Sequence, residues 1–123
     1  MTKAAALHSF FSSFGLTAYQ ENAVPDEATF PYITYTVTTD TFPAGEVALS
    51  MSLWYRSPSW TAINAKTEQI STAIGYGGRV VDCDSGKIWV KRGQPFANSM
   101  GDNTDSLIKR KLINISAEYL TFN

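Results

Sequence analysis

Hydrophobic and polar positions divide this chain into segments of two different periods. From Lys3 to Phe14, the residues Ala4, Leu7, Phe11 and Phe14 recur at three- and four-residue steps, with Phe10 beside them. That spacing predicts an amphipathic helix. Thr2 stands where a helix N-cap belongs, and Gly15 where the C-terminus needs a residue tolerant of positive φ. Leu16 to Phe30 follows neither period, carries Asn22, Pro25, Asp26 and Glu27, and reads as a connecting loop. From Phe30 to Thr39 the chain turns β-branched and aromatic. Ile33, Tyr35 and Val37 share one face and Thr34, Thr36 and Thr38 the other, which predicts a half-buried strand.

After the turn Asp40–Gly45 comes the cleanest alternation in the chain. Val47, Leu49, Met51, Leu53 and Tyr55 alternate with Ala48, Ser50, Ser52 and Trp54. A strand from Glu46 to Arg56 spans roughly 36 Å at about 3.3 Å per residue, whereas strands usually have about five or six residues. A second helix is expected from Pro58 to about Ile74. Ser57 is its expected N-cap, Pro58 its first position and Gly75 its stop. Trp60, Ile63, Thr67, Ile70 and Ile74 form its apolar stripe.

Arg79–Asp82 and Lys87–Arg92 predict a hairpin about the turn residues Cys83-Asp84-Ser85-Gly86. Gly93 to Asp105 reads as a longer polar loop. Leu107 to Phe122 predicts a second long strand, possessing a charged start at Lys109, Arg110 and Lys111 and a regular alternation after it. A bulge is the expected device for joining its two halves.

These elements predict one α+β domain over residues 1–123, in the order α-β-β-α-β-β-β. The simplest packing is a mostly antiparallel sheet with two helices on one face. Two strands are too long for so small a core. Pairing with another subunit is the expected use of their far ends, because an unprotected edge invites aggregation.

Composition narrows the function classes. Hydrophobic residues make up 44% of the 123 and charged residues 17%, against roughly 25% charged in typical soluble proteins. The uncharged surface that remains suggests a partner. The net charge of −1 is unlike the basic excess of a duplex-DNA binder. No apolar run reaches the roughly 18 residues of a membrane span. The start of the chain has no long apolar run or clear cleavage site, so it is not read as a signal peptide. The single cysteine, Cys83, offers no internal disulfide and is consistent with a reducing compartment.

No constellation of residues specifies chemistry. His8 is the only histidine, and with Cys83 it makes too small a set of nitrogen and sulfur ligands for zinc. Asp82, Asp84 and Gly86 echo the start of a calcium loop, but Ser85 precedes the glycine and a basic strand follows. Gly75-Tyr76-Gly77-Gly78 follows a helix, whereas a phosphate loop precedes one. No Gly-x-Ser-x-Gly elbow is present, and nothing selects a pair among the eleven acids. The expectation is therefore a protein that is not an enzyme and needs no metal or cofactor. The candidate contact residues are apolar side chains in turn-rich loops, Phe42 with Pro43 and Phe96 with Met100. Trp54 joins them because it lies opposite the apolar set of its strand. Lys109, Arg110 and Lys111 complete the set.

A series of segments carries a family resemblance. Phe30-Pro31-Tyr32-Ile33-Thr34-Tyr35 follows Val24-Pro25-Asp26. Ser52-Leu53-Trp54-Tyr55-Arg56-Ser57-Pro58-Ser59-Trp60 comes next, then Ile88-Trp89-Val90-Lys91-Arg92-Gly93 and Ile113-Asn114-Ile115-Ser116-Ala117-Glu118-Tyr119. Over Val24 to Tyr119 the chain resembles the small tail-completion or tail-terminator proteins of siphophages and prophages. The match is in the flavour and order of elements, and none of its motifs is a chemical signature. The resemblance implies helices packed on a sheet, no enzymatic activity and no cofactor. It also implies a self-assembled hexameric ring that caps the tail tube, with the tube protein and a head–tail connector as partners. The expected location is the virion, and the host cytoplasm during assembly. No sequence-specific nucleic acid and no membrane is implied. DNA passes through such a lumen, and the absence of a basic excess suits that passage. The alternatives are a head–tail neck adaptor binding a portal-type ring and a small-molecule-binding α+β domain, which would need an apolar pocket with convergent polar groups.

Overall fold

A computed structural model describes residues 1–102 and 104–123. Asn103, within the predicted polar loop, lies outside the described residues. Helix α1 spans Lys3–Phe11 and continues as a single 3₁₀ turn, Ser12–Phe14. Strands β1 (Thr17–Gln20), β2 (Tyr32–Tyr35) and β3 (Glu46–Arg56) follow. After α2 (Thr61–Ile74) come β4 (Arg79–Cys83), β5 (Gly86–Gly101) and β6 (Ile108–Thr121). The fold is α+β and mostly sheet, with six strands in the order β1-β2-β3-β6-β5-β4.

Local chemistry explains most boundaries. The Thr2 hydroxyl accepts a hydrogen bond from Ala5 N, satisfying one of the orphan donors of the first turn. Gly15 closes the 3₁₀ turn at φ 84°, where a Cβ would be strained. The stripe of α2 buries Ile63, Thr67, Ile70 and Ile74, as its spacing predicts. The helix begins at Thr61, however, later than expected, and Ser57 does not cap it. The Ser57 hydroxyl accepts from Ser59 N, and the Ser59 hydroxyl accepts from Thr61 N. Two successive serine turns thus lead the chain into α2.

Four further expectations are corrected. The segment predicted as a loop after Leu16 contains β1, which pairs in parallel with β2. Four residues are too few for a period to show, and the partner strand supplies the order. The sheet is accordingly mixed, with the other pairings antiparallel. The strand predicted over Phe30–Thr39 shrinks to Tyr32–Tyr35. The polar stretch after Gly93 is largely strand, because β5 runs on to Gly101. The expected bulge lies in β5, between Arg92 and Ala97, and not in the terminal strand. The predicted hairpin is present, with Cys83 paired to Gly86.

The core lies between the helices and one sheet face. Ile33, Leu49, Met51, Leu53, Ile88, Val90, Ile113 and Ile115 meet Leu7, Phe11, Ile63 and Ile70 there. Tyr35 stacks on Phe11 with ring centroids 4.7 Å apart. Helix α1 touches both β1 and β4, which are the two end strands of the sheet. The sheet therefore curls around its helices, and α1 spans the gap between its ends. Arg79 on β4 ties this junction by donating to the Ser13 hydroxyl at 3.4 Å.

Candidate functional site

Among the described residues, no layer covers the face of the sheet away from the helices. Alternation puts Ala48, Ser50, Ser52, Asn114 and Ser116 at its centre, a floor of small and polar side chains. Large side chains gather on either side of that floor. On the β1 side, Tyr32 stacks on Trp54 (6.3 Å, 19°), makes an edge contact with Tyr19 (5.9 Å) and meets Phe30 at a tilt (5.3 Å, 42°). Trp54 Nε1 donates to Thr34 Oγ1 at 2.9 Å. The guanidinium of Arg110 lies 4.9 Å from the Trp54 ring and donates to the Ser52 hydroxyl at 3.1 Å. Burial raises the Tyr32 pKa, with the neighbouring Tyr19 adding to the effect.

On the β5 side a charged group does the same work. Lys91 Nζ donates to Glu46 Oε1 at 2.5 Å and Glu118 Oε2 at 3.5 Å, and sits 4.2 Å from the Trp89 ring. The hydrogen bond from Lys91, reinforced by its charge, holds Glu46 below the usual carboxylate range. The bond to Glu46 holds Lys91 above its usual value. The group joins β3, β6 and β5 across the sheet.

The predicted contact residues do not form one patch. Trp54, Arg110 and Met100 are brought together in one cross-strand row on the uncovered face. Lys109 and Lys111 turn to the helix side, where their ammonium groups lie 5.6 and 5.7 Å from the Trp60 ring. Lys109 is buried and donates to Ser106 O, so it is a structural cation. Phe96 packs on the edge of the core beside α2. Phe42 is 62% exposed, with Pro43 exposed beside it. Phe42 N donates to Thr121 O at 3.3 Å, which places it at the far end of β6.

Five exposed apolar residues escaped the sequence reading: Met1, Tyr76, Val80, Leu120 and Phe122. Leu120 was legible, since it shares the parity of Asn114, Ser116 and Glu118. The Phe42–Thr121 bond brings Phe42 beside the segment that carries Phe122, far away along the sequence.

Among the described residues no cluster of His, Cys, Asp and Glu is placed to hold a metal ion. His8 Nδ1 lies 2.6 Å from the Tyr35 hydroxyl, at the exposed side of α1. No described helix is long and apolar enough to cross a membrane. Open grooves of about 540 and 460 Å³ flank Phe96 between α2 and the β5 bulge, lined by Ser71, Arg92 and Lys111 among others. No family model, curated protein or solved structure matches the chain.

Proposed function

We propose that this chain is a non-enzymatic virion-assembly subunit, a tail terminator that forms a ring, caps the tail tube and joins it to the head connector. The observation that carries the self-assembling part is the distal half of β5. Its pairing with β4 stops at Val90, and Ala97–Gly101 pairs with β6 alone. Asn98, Ser99, Met100 and Gly101 are all exposed. A free edge of this length is a template for another strand. A ring of identical subunits uses up such edges, since each one meets its neighbour and none is left to propagate. The exposed Phe42, Leu120 and Phe122 at the other end of the strands give the ring a second apolar surface for a different partner. The resemblance in sequence supplies the identity of the ring, its tube and its connector.

Light scattering across a concentration series, paired with electron microscopy, tests this reading. A discrete species of ring shape, with roughly six subunits in a closed cyclic arrangement, is expected. A monomer at every concentration overturns the self-assembling ring.

A further inference from the structure

Besides the outer side of β4, the sheet has two free edge segments, and these stand at the same height. Pairing registers run unbroken across five strands. One row joins Ala18, Ile33, Leu53, Lys111 and Ser99. The next joins Tyr19, Thr34, Ser52, Leu112 and Asn98. Strand β1 closes these rows at one end of the sheet and Ala97–Gly101 of β5 at the other. No strand lies beyond either segment among the described residues.

Direction and pleat agree with height. Strand β1 runs with β2, against β3, and therefore with β6. Strand β5 runs against β6 and so against β1. A second copy set beside the first in the same orientation would meet it as an antiparallel pair, the commoner kind. Ala18 and Ser99 both face the helix side, and Tyr19 and Asn98 both face away. Pairing at equal height thus keeps each face of the sheet continuous, where a slip of one residue would exchange the faces.

Charge distinguishes the two edges. Between Ala4 and Tyr55 the chain has five acids and no lysine or arginine. Glu21 directly after β1, and Asp26 and Glu27 in the loop that leaves it, are exposed and make no ion pair among the described residues. Arg92, Arg110 and Lys111 on β5 and β6 also lack a carboxylate partner there. Lys111 Nζ donates to the Ser99 hydroxyl at 2.7 Å, which carries its charge to the β5 edge.

We infer that β1 of one copy adds, antiparallel and head to tail, to Ala97–Gly101 of a second copy. The inference rests on the self-assembly proposed above and specifies its contact. Main-chain hydrogen bonds supply the affinity. The opposed charges favour this pairing over contacts between like edges. Edges at equal height add no rise along the strands from copy to copy, which favours a closed ring over a filament.

Cross-linking of the full chain tests the contact. In a Cys83→Ser background, Tyr19→Cys with Asn98→Cys should give a ladder of covalent multimers on mild oxidation. Tyr19→Cys with Leu120→Cys, on the same face at another height, should not. Circular dichroism identifies folded variants, and light scattering reports assembly before oxidation. Folded oligomers without the ladder overturn the edge pairing and leave the ring standing. Monomers overturn both. A ladder from open chains upholds the pairing and overturns the terminator ring. As a second variant that leaves the strands intact, Glu21→Lys/Asp26→Lys/Glu27→Lys should raise the concentration needed for assembly by about tenfold. An unchanged concentration contradicts the charge matching.

Discussion

Gly93 lies so close to Asn114 across the bulge that a Cβ on it would come within 2.8 Å of the Asn114 carbonyl carbon and oxygen. The contact lets the extra residues of β5 loop out while Asn114 Nδ2 donates to Pro95 O at 2.7 Å. The bulge in turn sets Phe96 against the edge of the core and re-aims the strand toward its free end. Gly93→Ala should therefore destabilise the fold by about 1–3 kcal/mol, the usual range for overpacking. Urea unfolding should show a lower midpoint with an unchanged slope, and an unchanged midpoint would mean that β6 yields at no cost.

The phenol of Tyr119 is fully buried and donates to Thr38 O. Burial, with smaller contributions from Asp40 and Cys83, pushes its pKa up to about 12 from 10.0. The folded state thus holds this proton more tightly than the unfolded chain does. The resulting stabilisation is fully present below the unfolded value and is lost as pH rises from about 10 through about 12. Tyr119→Phe should remove that part of the alkaline destabilisation and cost about 1 kcal/mol at neutral pH for the lost hydrogen bond. Denaturant titrations at a series of alkaline pH values check both signs.

Phe42 makes no core contact that would resist its replacement by a polar side chain. Phe42→Ser should leave the unfolding free energy within about 0.5 kcal/mol of the parent. If the terminator reading is right, the same variant should weaken docking on a ring-binding partner while the mass of the ring stays unchanged. A loss of stability above that range would place Phe42 in the fold rather than at a contact.

Thr2 caps α1, the helix that spans the two ends of the curled sheet. Thr2→Ala should cost about 1 kcal/mol. Hydrogen exchange should rise first in the opening turn of α1, because the unsatisfied donors are there.

Much of this fold follows from periodicity alone. The parity of Val47, Leu49, Met51, Leu53 and Tyr55 determined which face of β3 is buried. The stripe from Ile63 to Ile74 determined how α2 lies, and the Asp84-Ser85 turn determined the hairpin. Each of these is a local preference repeated often enough to be read. The tertiary structure decided what such preferences leave open. Thr17–Gln20 is a strand because Tyr32–Tyr35 offers it a ladder, and four residues carry no period of their own. Ala97–Gly101 shows no strand-like alternation of its own, yet β6 pairs with it along its whole length. Trp54 stays on the uncovered face with Thr34 and Arg110 as its partners, whereas Lys109 is buried against Trp60 and Ser106. A sequence records which side of its own strand a residue occupies. Only the assembled sheet determines what stands opposite, because hydrogen-bond ladders and ring stacking join residues that are far apart along the chain.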